Sequence, residues 1–162
     1  MNPRIGLGWD RHPLRRGLPL VILGVEIPSS VGPEAHSDGD VLAHALADAL
    51  LGMAGAGDIG TFFPDDQEWT EGMSGVLLLE KARDVISSRG FLVSQIDAQI
   101  RLEKPMLSPY LGMIENRCRE VLELSEDEVR ITARHGEGLG PVGRGEGLEA
   151  LVMVIGKKRR IS

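Results

Sequence analysis

Residues 95–102 alternate without a break. Ile96, Ala98, Ile100 and Leu102 are apolar, and Gln95, Asp97, Gln99 and Arg101 between and before them are polar. Successive side chains on an extended strand point to opposite faces, so this segment is a strand with one apolar and one polar side. A sheet built around it carries helices on one face, and its polar face meets water or a partner subunit.

The other segments fit that plan. Strands are expected over 4–9, over 20–23 and 25–27 (a ribbon folded at Gly24), and over 129–133 and 148–155. Leu42, Ala45, Leu46, Ala49 and Met53 recur at three- and four-residue steps, which predicts a helix over 41–54. Ser37, Asp38 and Asp40 are its N-cap candidates. Helices are also expected over 74–88 and 109–122, and 31–39 and 58–72 read as loops. With no repeat or low-complexity linker, residues 1–162 form one α+β domain with helices packed on one face of a mixed sheet, and 157–162 read as a basic tail.

Composition narrows the function classes. Of 162 residues, 42% are hydrophobic and 26% charged, a globular balance. The net charge of −6 argues against a broad nucleic-acid surface. The single cysteine, Cys118, excludes an internal disulfide and reads as a buried thiol rather than a nucleophile. No apolar run approaches membrane-spanning length and no signal-type apolar core is visible, so a cytoplasmic protein with no membrane association is expected.

Glycine is abundant, at 21 residues, and clusters beside acids and histidines. Asp10 and His12 stand two apart on an expected strand, so both project to one side. His44 lies on the first helix at four-residue spacing from Asp40 and Asp48. One carboxylate and two imidazoles suit Zn²⁺ or a similar ion with a position left open for substrate. Asp48 or Asp40 can then fix the imidazole tautomer. The alternative is that Asp10 caps a turn and His44 is a half-exposed helix residue.

His36 and Ser37 precede a helix N-terminus, a place that attracts phosphate, although Ser37 or Asp38 can also be plain caps. Asp58, Gly60 and Asp65 lie in tight turns that can bind sugar hydroxyls or serve only as turns. In the glycine-rich stretch 134–147, Arg134 or His135 can meet phosphate and Glu137 can hold Mg²⁺, or the charges are merely solvated.

Taken in order, these segments resemble the 2-C-methyl-D-erythritol 2,4-cyclodiphosphate synthase family. The resemblance rests on 4–12, on Gly24-Val25-Glu26-Ile27-Pro28 and above all on Ala35-His36-Ser37-Asp38-Gly39-Asp40-Val41-Leu42-Ala43-His44. Gly57-Asp58-Ile59-Gly60, Phe63-Pro64-Asp65, Glu137-Gly138-Leu139-Gly140 and Gly143-Arg144-Gly145-Glu146-Gly147 follow. It implies a homotrimer with its sheets around a central axis and sites between subunits. It further implies a Zn²⁺-like ion on Asp10, His12 and His44, and Mg²⁺ or Mn²⁺ near Glu137.

Under the same resemblance His36 and His135 are the catalytic candidates. Ser37, Asp58, Ile59, Gly60, Phe63, Asp65, Met106, Arg134 and Arg144 are the substrate-binding ones. The implied activity is that of a phosphorus–oxygen lyase of non-mevalonate isoprenoid biosynthesis acting on a cytidine diphosphate substrate. In it a 2-phosphate attacks the β-phosphorus of a cytidyl diphosphate and CMP leaves. The absence of a nucleophile motif fits such a reaction, in which positioning and charge stabilisation carry the work.

The chain departs from the family pattern at three places, one of them the loop after Phe63-Pro64-Asp65, which reads Asp66-Gln67 where Thr-Asp is usual. Where a threonine run is usual it reads Ala133, Arg134, His135 and Gly136, and Lys104 stands before Pro105 rather than after it. Two other readings therefore stand beside the synthase: a diverged metal enzyme on another nucleoside diphosphate, and a non-catalytic trimer holding an isoprenoid diphosphate in an axial cavity near Arg144.

Overall fold

The computed structural model describes residues 2–64 and 68–159. In chain order the main elements are β1 (Arg4–Arg16), β2 (Leu20–Ile22), β3 (Val25–Ile27), β4 (Val31–Pro33), α1 (Val41–Met53), α2 (Ile59–Phe62) and α3 (Gly75–Ser88). They continue with β5 (Phe91–Arg101), α4 (Leu111–Leu122), β6 (Val129–Arg134), α5 (Gly140–Gly143) and β7 (Gly147–Lys158). Five strands form one mixed sheet in the order β4-β1-β7-β5-β6, and β2 and β3 make a separate hairpin. The pairs β1–β4, β1–β7 and β5–β7 are antiparallel, and β5–β6 is parallel.

The α+β arrangement is as the sequence predicts, and several segments differ from the expectation. β1 runs past Trp9 to Arg16 because β7 pairs with it as far as Pro13 opposite Gly147. Residues 31–33, expected as loop, form β4 by pairing with the far end of β1, Leu14 opposite Pro33. Lys157 and Lys158, expected in a basic tail, belong to β7 and pair with Leu92 and Phe91 of β5. In the stretch expected as loop over 58–72, Ile59–Phe62 close a single helical turn.

One layer of helices covers the sheet. The core face carries Ile96, Ala98 and Ile100 of β5 and Leu148, Ala150, Val152 and Val154 of β7, all fully buried. Over β1 the covering element is α1, and here the strand's inward residues are Gly6 and Gly8. A Cβ on Gly6 would stand 1.9 Å from the Ala49 carbonyl oxygen, and one on Gly8 1.8 Å from that of Ala45. The helix backbone therefore rests on bare strand backbone, closer than any side chain permits. Asp10 and His12 continue the same stripe past the glycines, so they face the same helix one turn further along.

Among the described residues the opposite face is uncovered. It carries Gln95, Asp97, Gln99 and Arg101 from β5, as expected, and also Ile5, Leu7, Trp9, Leu151 and Met153, which are 42–68% exposed. Its β1–β7 half is thus apolar. Cys118 is fully buried in α4, and burial pushes its thiol up to about 12, which makes it inert. Among the described residues, no helix is long and apolar enough to cross a membrane.

Candidate active site

The close seating of α1 on β1 brings His44 onto the Asp10–His12 pair. Asp10 Oδ2 lies 2.8 Å from His12 Nε2 and 3.2 Å from His44 Nδ1, and the two imidazole nitrogens are 3.3 Å apart. Four ligands held about 2.05 Å from a zinc ion lie about 3.3 Å from each other, so these three atoms already mark one face of such a tetrahedron. The donor set, one carboxylate and two imidazoles, is that of a borderline transition ion. Asp10, His12 and His44 are a candidate metal-binding triad among the described residues, and its atoms fit the ion expected from the sequence.

The electrostatics agree with that fit. Burial alone would raise the Asp10 carboxyl, but hydrogen bonds and charge from His12 and His44 outweigh it and hold it at about 2. Burial would lower the His44 imidazole, but its hydrogen bond to Asp10 and the charges of Asp10, Asp40 and Asp38 raise it above its ordinary value. Asp48 is raised mainly by burial, with Asp58 and Asp10 adding repulsion. The site is thus held by one ionised carboxylate and two imidazoles, with Asp48 and Asp40 adding negative charge around it.

The partner that orients His44 is not the one expected. Neither Asp40 nor Asp48 reaches the ring's second nitrogen; Ser37 Oγ does, 3.2 Å from His44 Nε2. Asp40 caps α1, accepting from the Ala43 N–H at 3.0 Å and from the Gly24 N–H at 3.2 Å. Fully buried, its carboxyl is pushed up to about 6. Asp38 accepts from the Gly75 N–H at 2.8 Å and so ties the loop of His36 and Ser37 to the start of α3. Asp48 accepts from the Ile59 N–H at 2.8 Å and anchors α2. The capping role of Asp40 is the one its position before α1 predicts; the Gly24, Gly75 and Ile59 N–H groups that Asp40, Asp38 and Asp48 also hold come from other segments, which no spacing reveals.

A cavity of about 260 Å³ opens beside the triad and is lined by His36, Ser37, Ile59, Gly60 and Phe63 as well as by the triad itself. Asp58 caps the adjoining turn, and two bonds from Thr61, each 2.8 Å, hold its carboxyl below the usual range. Met73 and Leu78 also line the cavity and carry no sequence signal beyond being apolar. Asp65 lies outside the described residues.

Met106, Arg134 and His135 are elsewhere. They line a second cavity of about 280 Å³ with Glu103, Leu102 and Ala133, at the ends of β5 and β6. Glu137 stands beside it: its N–H donates to His135 Nδ1 at 3.3 Å, and its carboxylate, 78% exposed, lies 3.7 Å from His135 Nε2. A single exposed carboxylate fits Mg²⁺ or Mn²⁺ only as one leg of an ion held largely by phosphate and water. Arg144 is in neither cavity; Glu146 holds its guanidinium through two contacts of 2.9 and 3.0 Å.

The YgbB family model matches residues 3–156. The chain belongs to this family. Its relatives carry the name expected from the motifs: the 2-C-methyl-D-erythritol 2,4-cyclodiphosphate synthase of Pelotomaculum thermopropionicum is 43% identical over 152 residues, 94% of each chain. A solved 2C-methyl-D-erythritol-2,4-cyclodiphosphate synthase in a CDP-bound form superposes with a TM-score of 0.88 at 36% identity, covering 95% of this chain and all of that one. The bifunctional IspDF of Campylobacter jejuni matches with a TM-score of 0.93 at 36% identity over 97% of this chain, which spans 42% of that protein.

Proposed function

We propose that the protein is a metal-dependent phosphorus–oxygen lyase of non-mevalonate isoprenoid biosynthesis. It converts 4-diphosphocytidyl-2-C-methyl-D-erythritol 2-phosphate to 2-C-methyl-D-erythritol 2,4-cyclodiphosphate. An oxygen of the 2-phosphate bonds to the β-phosphorus, the bond from that phosphorus to the bridging oxygen breaks, and CMP leaves with that oxygen. The observation that carries the reading is the Asp10–His12–His44 triad at the mouth of a cavity whose other walls are His36, Ser37, Ile59, Gly60 and Phe63.

A divalent ion on the triad supplies positive charge against which two phosphates can approach one another. The protein's own groups do the remainder. His36 and Ser37, beside the start of α1, hold phosphate oxygens by hydrogen bonds. Asp58 and the backbone at Gly60 hold the hydroxyls of the erythritol part, with Ile59 and Phe63 against its carbon face. Arg134 provides a charged donor to the diphosphate and His135 a ring N–H where hydroxyls are usual in the family, and Glu137 would be one ligand of a Mg²⁺ or Mn²⁺ ion whose charge would offset that of the phosphates. Met106 borders the cytosine. Two phosphates held in line need no covalent nucleophile.

The two halves belong to different copies. Strands β1, β7, β5 and β6 lie side by side, and neighbouring strands are about 4.8 Å apart, so the triad and the second cavity are separated by about 14 Å within a chain. A homotrimer closes that gap by setting the β6 edge of one copy against the β1 edge of the next. The exposed apolar patch of Ile5, Leu7, Trp9, Leu151 and Met153 supports association through the open sheet face.

Purified protein given the cytidyl substrate with Zn²⁺ and Mg²⁺ is expected to release CMP, and His44→Ala to release none. Folded, metal-loaded protein that releases no CMP contradicts the proposal.

A further inference from the structure

Glu103 belongs to none of the motifs, yet it touches the part of the chain that departs most from the family. It follows the last paired residue of β5, where the ladder with β6 extends one step through the Leu102 N–H and the Arg134 carbonyl at 2.9 Å. Two residues past Arg134, the Gly136 N–H donates to Glu103 Oε2 at 2.7 Å. Gly136 is a buried residue, and the Glu103 carboxylate is the partner of its N–H. On its other side Gly136 is pressed against α5: a Cβ there would stand 2.4 Å from the Gly143 nitrogen. Its carbonyl accepts from the Leu139 N–H at 2.8 Å.

Gly136 is therefore clamped on three sides, and two of the three clamps are backbone that no side-chain replacement removes. Glu103 is the side-chain clamp. The residues on either side of Gly136 are His135 and Glu137, both well exposed, and His135 rests on the Glu137 N–H and carboxylate. Their placement depends on the Gly136 turn, because neither is packed into the core.

We propose that Glu103 is the positioning residue of the second half-site: by accepting the Gly136 N–H it fixes the turn that presents Arg134, His135 and Glu137 to the diphosphate of a cytidine nucleotide. The ligand class rests on the function proposed above; the tether does not. Geometry and charge separate cleanly by substitution. Glu103→Gln keeps the reach and an acceptor oxygen but loses the charge. Glu103→Asp keeps the charge but is one methylene too short.

The experiment is a calorimetric titration of zinc-loaded protein with CDP and Mg²⁺ on wild type, Glu103→Gln and Glu103→Asp, with amide exchange followed over 134–138. A positioning role predicts that Glu103→Gln binds CDP within about threefold of wild type while Glu103→Asp weakens it about tenfold, the worth of one charge-assisted bond. Zinc content stays unchanged, and exchange at Gly136 accelerates only in Glu103→Asp. The reverse order, with Asp like wild type and Gln impaired, overturns the proposal in favour of a direct charge contact. Equal behaviour of all three proteins in both readouts also overturns it. Wild type that fails to bind CDP while Gly136 exchange still distinguishes Asp from Gln overturns the cytidine nucleotide and leaves the tether standing.

Discussion

The two half-sites are built in opposite ways. The metal half sits on a long strand and the largely buried helix α1, its ligands 2.8–3.3 Å apart, with Ser37, Asp38, Asp40 and Asp48 each spoken for by a named partner. The second half is a glycine-rich loop carrying exposed Arg134, His135 and Glu137, held at one buried glycine. A metal site must be formed before its ion arrives, since ligand atoms displaced by even half an ångström lose coordination. In the role proposed for it, the second loop would take its partner charges from the ligand and from a neighbouring copy, and would need only its backbone path fixed.

The sharpest way to break this contrast is to disturb the seating of α1. Gly8→Ala places a methyl group 1.8 Å from the Ala45 carbonyl, so helix and strand must separate. A loss of about 3 kcal/mol or more in urea unfolding is expected, together with loss of bound zinc. His135→Ala, in the second half, is expected to leave both within error. Gly8→Ala with wild-type zinc content would show that the triad does not depend on this packing.

Next in size is the buried cap. Asp40 is raised to about 6 from 3.8, so the folded state binds its proton more tightly than the unfolded chain does. Its contribution to stability is present below pH 3.8 and is lost as pH rises through 6, by up to about 3 kcal/mol. Asparagine caps as well without the charge. Asp40→Asn is therefore expected to flatten the pH dependence of unfolding between pH 4 and 6.5, which denaturation curves at several pH values will read. The smallest effect is expected at Ser37, whose hydroxyl orients the His44 ring. Ser37→Ala should lower zinc affinity about 10- to 100-fold in a chelator competition without altering the fold.

What the sequence revealed follows the same division. Asp10, His12 and His44 were readable because strand and helix periodicity put them on computable faces, and the core residues of β5 because they alternate with polar ones. The β1 strand inverts that signal. Its inward residues are glycines and its outward ones Ile5, Leu7 and Trp9, so apolar alternation alone points it the wrong way round; only the helix lying against Gly6 and Gly8 explains it. The ends of β1, β4 and β7 exist through pairing between distant segments, which no local pattern carries. Asp40 was readable as the cap of α1, whereas the roles of Glu103 and Asp48 depend on backbone groups of other segments, and a backbone N–H has no sequence signature. The gathering of Met106, Arg134 and His135 into a separate cavity arises from the parallel pairing of β5 with β6.

The central claim is that one active site takes its metal half from one copy and its nucleotide half from the next, and subunit mixing tests it directly. His44→Ala lacks a metal half, and a Glu137→Ala, His135→Ala double variant lacks the other. Each alone is expected to release no CMP. Equal amounts unfolded together and refolded pair an intact metal half with an intact nucleotide half at one half times one half of the boundaries, so about a quarter of wild-type CMP release should return. Mixed assemblies that form, as judged by tags on the two variants, and still release no CMP would contradict a site shared between copies.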